Sequence, residues 1–269
     1  MPSWETNSVL VTATTIEARF LLEKMPQVHF HCERRKEHLL YVGRYNNLKI
    51  AVVITGMGPE NGKNGLTEAL NDLSAVESVV GFGFASGLIK TAQAGNLVIP
   101  TMIHYGQTIE TPTEWLRMGL ASHADHTTLR KLITVEKVIS SPVEKAALYA
   151  ATEAQALDME SAVWGRVCRE KGVPWAIVRT ILDPADQVLP EELAQTVDSF
   201  GRVRWLSALG LFASRPKLLG AAFALRVGNL RKLSEPYVDI LVERLAFQSK
   251  NRSERSHHPT VESKVAQPS

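Results

Sequence analysis

The chain has 269 residues, 45% of them hydrophobic and 22% charged, with 30 Lys and Arg against 28 Asp and Glu for a net charge of +2. That balance excludes a strongly basic nucleic-acid binder and a wholly disordered chain, and the length is enough for a sizeable core. Cys32 and Cys168 are the only cysteines, and the polar start of the chain carries no apolar leader, which points to a reducing, cytoplasmic setting without a disulfide scaffold.

Ser8 to Ala13 reads as a first buried strand, and Thr14 to Leu22 as a turn entering a helix. Thr14 or Thr15 would cap that helix, with Glu17 in its first turn as a partner of the helix dipole or as a functional acid. Short apolar bursts across residues 28–53 form a meander in which Asn46 and Asn47 mark a hairpin turn. His29, His31, Cys32 and His38 fall there in no four-ligand zinc pattern, so they read as a solvated strand face. His123, Asp125 and His126 read the same way, and no metal is expected.

Thr55 to Gly62 is a glycine turn between a strand and a helix, a place where backbone N–H groups can approach an anion. A dinucleotide fingerprint would need glycine where Asn61 stands, which argues against a nicotinamide site. Val76 to Phe84 reads as another buried strand with a small-residue exit through Ala85, Ser86 and Gly87, followed by a strand at Leu97 to Pro100. Between residues 104 and 141 the pattern is weaker, with a short helix around Trp115 to Leu120 and a strand over Ile133 to Ile139. Ser141 then caps a helix that has Pro142 at its first position and runs to about Ala151.

The densest stretch spans residues 156–186, a βαβ-sized unit. Asp158 and Glu160 precede a helix over Ser161 to Glu170 that Gly172 stops, and Trp175 to Val178 forms the next strand, with Asp183 and Asp186 beyond it. Chemistry collects at the carboxyl ends of parallel strands, so these acids can converge on one crevice. The bland alternative is that Asp158 and Glu160 serve a helix dipole and that Asp183, before Pro184, opens a turn.

Residues 202–233 mix apolar side chains with seven basic ones and contain no acid. Arg215, Pro216 and Lys217 interrupt the apolar run, so it is too short to span a membrane. It reads as ordinary core with a basic face, as a cover over a greasy pocket, or as a peripheral contact with an anionic membrane. Residues 249–269 read as a disordered tail.

ALDMESAVWGRV followed by VPWAIVRTILDPAD resembles the signature of the nucleoside phosphorylase and nucleosidase family, which includes the methylthioadenosine/S-adenosylhomocysteine nucleosidases. TGMGPENG is similar to the glycine turn of its hopanoid-associated phosphorylase group. The resemblance runs from about Val9 to Leu189. It implies one α/β domain over residues 1–248 with the three-layer phosphorylase/hydrolase-like fold, a mixed twisted central sheet with helices on both sides. It further implies an enzyme that cleaves the N-glycosidic bond of a purine nucleoside, an adenosine derivative such as adenosylhopane in hopanoid biosynthesis, with water or phosphate as nucleophile.

On that resemblance Asp183 protonates the leaving base and Glu160 accepts from ribose hydroxyls, while Met159 packs against the sugar and Glu17 orients or deprotonates the nucleophile. Gly58 and the run Phe84, Ala85, Ser86, Gly87 would shape the sugar and nucleophile pocket. No cofactor is implied beyond phosphate as an alternative co-substrate, and a homo-oligomer is. The sequence departs from the family's pattern at Phe84, where a small polar residue is usual, and at Leu182, where serine is common. Asn96 replaces an acid, and Lys63 and Asn64 stand where the hopanoid group carries arginines. These departures keep open a nucleoside-binding or sensing protein with weakened turnover.

Overall fold

The computed structural model describes residues 4–122, 124, 129–188, 200 and 227–257. Its strands are β1 (Trp4–Glu5), β2 (Ser8–Thr12), β3 (His31–Arg34), β4 (Leu39–Tyr45), β5 (Leu48–Ile54), β6 (Leu73–Ser74), β7 (Ser78–Gly87), β8 (Leu97–Tyr105), β9 (Thr108–Glu110), β10 (Leu129–Thr134), β11 (Ala156–Asp158) and β12 (Trp175–Asp183). Its helices are α1 (Thr15–Glu23), α2 (Pro59–Asp72), α3 (Glu114–Ala121), α4 (Pro142–Thr152), α5 (Ser161–Glu170) and α6 (Val227–His257).

Apart from a small β1–β6 ribbon, the strands form one mixed sheet in the order β11-β10-β8-β12-β7-β2-β5-β4-β3, with β9 added to β8. Its centre, β12–β7–β2–β5, is parallel. Asn46, with φ of 52°, turns β4 back into β5 as a hairpin. Strand β11 pairs with β10 on one side and with β7 on the other. Strands β7, β12, β8, β10 and β11 therefore close on themselves, and the ends of β7, β11 and β12 meet on one rim.

Alternation along the strands feeds two helical layers. Val9, Val11, Val53 and Val79 pack with α2 and α5, whereas Leu10, Val52, Val80 and Phe82 pack with α1, α3 and α6. This is the expected three-layer α/β arrangement. Helix α5 forms because Ala162, Val163, Val167 and Cys168 recur at helical spacing and are buried, and Gly172, at φ 67°, ends it. Burying each such Val or Leu is worth about 1.5–3 kcal/mol.

Several boundaries differ from the sequence reading. The small-residue exit after Phe84 stays inside β7, because β12 hydrogen-bonds alongside it as far as Ser86. Strand β10 lies earlier than residues 133–139, since its partners β8 and β11 hold it only to Thr134. Strand β12 continues through Arg179, so Asp183 closes a strand and does not open the turn. Helix α6 continues past Gln248, where a disordered tail was expected, because Tyr237, Val238, Leu241 and Leu245 anchor it in the core. His123, Asp125, His126 and residues 202–226 of the basic apolar segment lie outside the described residues. No described helix is long and apolar enough to cross a membrane.

Candidate active site

Glu17 sits where α1 leaves the end of β2. Thr14 is the N-cap, and Thr14 and Glu17 form a reciprocal capping box. The Glu17 Oε2 accepts from Thr12 Oγ1 at 2.7 Å, Thr14 Oγ1 at 2.8 Å and Thr14 N at 3.0 Å. The Oε1 accepts from Phe84 N at 2.9 Å, which ties the acid to β7. A cap alone needs no such second anchor, and the carboxylate is buried. Gly83, at φ 141°, makes the approach feasible, since a Cβ there would lie 2.3 Å from Glu17 Oε1 and 2.6 Å from Arg179 Nη1.

Asp183, at the end of β12, lies two residues further along the same strand β7. Its Oδ1 accepts from Ser86 Oγ at 2.6 Å and its Oδ2 from Lys145 Nζ at 2.6 Å. Asp183 and Lys145 are both buried. Burial pushes the Asp183 carboxyl above its ordinary range, against the pull of Lys145 and Ser86 toward the ionised form.

Glu160 precedes α5 and meets the glycine turn: the N–H of Gly58, at φ 90°, donates to Glu160 Oε1 at 2.8 Å. Met159 is half-buried beside that turn, with its Cε 3.9 Å from where a Gly58 Cβ would be. Burial first, then the charges of Asp158 and Glu17, push Glu160 up to about 8, while Arg179 and the Gly58 N–H oppose the rise.

The side chain at the middle of the site is Arg179. It is buried, and its Nη2 lies 2.9 Å from Asp158 Oδ2 and 3.6 Å from Glu160 Oε2. Its Nη1 donates to Phe82 O at 3.3 Å, and the guanidinium stacks 4.8 Å from the Trp164 ring. Asp158 also accepts from Thr134 Oγ1 at 2.8 Å and from Ser161 Oγ. Asp158 is thus a counter-charge locked in the protein, whereas Glu160 keeps acceptor capacity.

The structure brings together Glu17, Gly58, Phe84, Ser86, Met159, Glu160 and Asp183. Ala85 and Gly87 face inward and shape the rim: Ala85 belongs to the core, and a Cβ on Gly87 would meet Ala92 O at 2.8 Å. Phe84 packs edge-on against the buried Tyr237 ring at 5.7 Å, so its aromatic ring is half-buried in the core. Asp186 is exposed and stands apart from the other acids' hydrogen bonds. His38 departs from the solvated face expected of it: it is fully buried, and neither ring nitrogen has a hydrogen-bond partner among the described residues. His31 and Cys32 are exposed as expected, and no group of three or more candidate metal ligands occurs among the described residues.

The phosphorylase superfamily model matches residues 8–130 and 120–204. A curated relative, 5'-methylthioadenosine/S-adenosylhomocysteine nucleosidase of Buchnera aphidicola subsp. Baizongia pistaciae, is 24% identical over 200 residues, which cover 66% of this chain and 78% of that protein. Futalosine hydrolase of Helicobacter pylori aligns with a TM-score of 0.67 at 18% identity, over 88% of this chain and 98% of that one. Helicobacter pylori 5'-methylthioadenosine/S-adenosyl homocysteine nucleosidase, solved with a bound pyrrolo-pyrimidine pyrrolidinol, aligns with a TM-score of 0.68 at 19% identity, over 91% and 99%. At these identities the two structures establish the fold.

Proposed function

The chain belongs to the phosphorylase superfamily and is an enzyme of N-glycosidic bond cleavage, and from that premise we propose that it hydrolyses a purine nucleoside, an adenosine derivative. The carrying observation is that β7 holds two acids at a set interval. Its Phe84 N–H binds Glu17 and its Ser86 hydroxyl binds Asp183. Two residues of strand span about 7 Å, room for a sugar carbon between a nucleophile at one acid and a leaving base at the other.

In this reading the electron pair of the C–N bond goes to the base as the sugar becomes oxocarbenium-like. Asp183 gives a proton to the base, so that it leaves neutral, and burial holds the carboxyl nearer to the range where it can do so. Glu160 accepts from the ribose hydroxyls, and Met159 supplies a soft apolar neighbour to the sugar. Glu17 takes the proton of the attacking water. Water is favoured over phosphate because an acid occupies the nucleophile side and the nearby Arg179 is committed to Asp158 and Glu160. Lys63 is exposed on α2.

The similarity of TGMGPENG to the hopanoid-associated group, with half-buried Phe84 and Leu182 on the rim, supports an apolar 5′ substituent, as in adenosylhopane. The acid-free, basic character of residues 202–233 supports a peripheral contact with an anionic membrane for such a substrate. A homo-oligomer is supported by α3, where Trp115 and Met118 are 60% and 53% exposed one helical turn apart.

The test is incubation with adenosine, methylthioadenosine and inosine, with and without phosphate. Free adenine without phosphate is the expected result. Release only with phosphate makes the protein a phosphorylase, and binding without release makes it a sensor.

A further inference from the structure

Lys145 is fully buried on the first turn of α4 and points at the acid assigned to the leaving base. An ammonium has three N–H donors, and three acceptors surround this one: Asp183 Oδ2 at 2.6 Å, Pro184 O at 2.9 Å and Gln187 O at 3.2 Å. The charged group that bears on Asp183 is Lys145; the neighbouring Glu144 and Asp186 are exposed. A buried lysine is costly unless it is paired, and the desolvation of such a pair can offset what its attraction contributes to stability. A carboxylic acid that merely had to hold a proton would be better served by an apolar neighbour, because a cation favours the ionised form.

Resting on the function proposed above, we propose that Lys145 is a positioning residue acting through Asp183: it aims the carboxylate at the leaving base and supplies the proton that Asp183 delivers. In the resting pair the ammonium faces a carboxylate. One proton passes from Nζ to Oδ2 along that 2.6 Å hydrogen bond and leaves an amine and a neutral acid. As the C–N bond breaks, its electron pair passes to the base, and Asp183 gives its proton to a base nitrogen and returns to carboxylate. The amine regains a proton from solvent after release. The proton that water surrenders to Glu17 balances it over the cycle.

The experiment compares the parent with Lys145→Met and Lys145→Arg on two substrates, adenosine and p-nitrophenyl β-D-riboside, whose leaving group departs without a proton. Lys145→Met is expected to lose about 10²–10⁴-fold in kcat on adenosine, with activity failing at lower pH than in the parent, and less than about tenfold on the nitrophenyl riboside. Lys145→Arg keeps the charge but cannot give up a proton, so it is expected to hold KM for adenosine within a few-fold while losing kcat on adenosine selectively. An adenosine to nitrophenyl ratio and pH profile equal to the parent's in a folded Met variant overturn the inference alone. Should the Met variant fail to fold, a parental ratio in the Arg variant does the same. A parent that cleaves neither substrate overturns the proposed function and this inference with it.

Discussion

The backbone N–H of Gly58 donates to Glu160 Oε1 across 2.8 Å, joining the glycine turn after β5 to the acid that opens α5. On the proposed function the remaining acceptor capacity of Glu160 takes the ribose hydroxyls, and charge-assisted hydrogen bonds of that kind are worth about 1.5–3 kcal/mol each. Glu160→Gln is therefore expected to cut the preference for adenosine over 2′-deoxyadenosine by about tenfold or more in kcat/KM. An unchanged preference removes Glu160 from the sugar site.

The pH dependence of Glu160 has a definite sign. Its folded pKa is raised from 4.5 to about 8, so the folded state binds the proton more tightly than the unfolded chain. The stability this contributes is complete below about pH 4.5 and is lost as pH rises through about 8. Relative to Glu160→Gln, the parent's urea midpoint should fall steadily from pH 5 to 8. Ribose hydroxyls call for the ionised carboxylate, so binding of a non-cleavable adenosine analogue at pH 7 should release protons, read by calorimetry in buffers of different ionisation enthalpy. A flat difference together with no proton release assigns Glu160 ordinary acidity.

Asp183→Asn removes the transferable proton but little volume, and the amide oxygen can still accept from Lys145. Turnover on adenosine should fall about 10²–10⁴-fold, with analogue affinity held within a few-fold. Turnover near the parent's would take Asp183 out of the reaction.

Arg179 is the buried counter-charge of Asp158 and lies 3.6 Å from Glu160. Arg179→Met leaves Asp158 without that partner, a loss of about 3–5 kcal/mol, seen as a fall in Tm on the order of 10 °C. Lysine cannot reproduce the fork that spans Asp158, Ser161 and Phe82, so Arg179→Lys should recover only part of that loss. Full recovery by lysine would reduce Arg179 to a point charge.

Gly83→Ala places a methyl 2.3 Å from Glu17 Oε1 at a backbone φ of 141°. Displacing a catalytic group by about 1 Å costs about 10²-fold, so kcat should fall by that order while the strain costs only about 1–3 kcal/mol of stability. Parental kcat would mean that Glu17 is a helix cap and nothing more.

The meeting of Glu160 and Asp183 is legible in the sequence because each stands at the end of a short apolar strand, although β11 runs antiparallel to β7 while β12 runs parallel to it; Glu17 stands out through the family resemblance. Arg179 is half legible: a lone charge inside an apolar strand must be paired, yet its partners belong to a separate strand and helix start. Lys145 carries no such mark. Its helix is mostly exposed, and what buries the ammonium is the turn after β12, whose Pro184 and Gln187 carbonyls fold over it. Ser86 reads as a small residue of a loop, and only the register of β7 against β12 turns its hydroxyl to Asp183. His38 misleads because alternation predicts a strand face but not whether water or α2 covers it.

The closure of β7 through β12, β8 and β10 back to β11 also sets when in synthesis the site can exist. The ring lacks its β12 member until Asp183 has left the ribosome, and before that β7 has neither its parallel neighbour nor a partner for the Ser86 hydroxyl. Contacts this distant along the chain form late and slowly. A nascent chain stalled before β12 would therefore already hold Glu17, Gly58 and Glu160 in its sequence, yet offer a nucleoside no assembled place to bind.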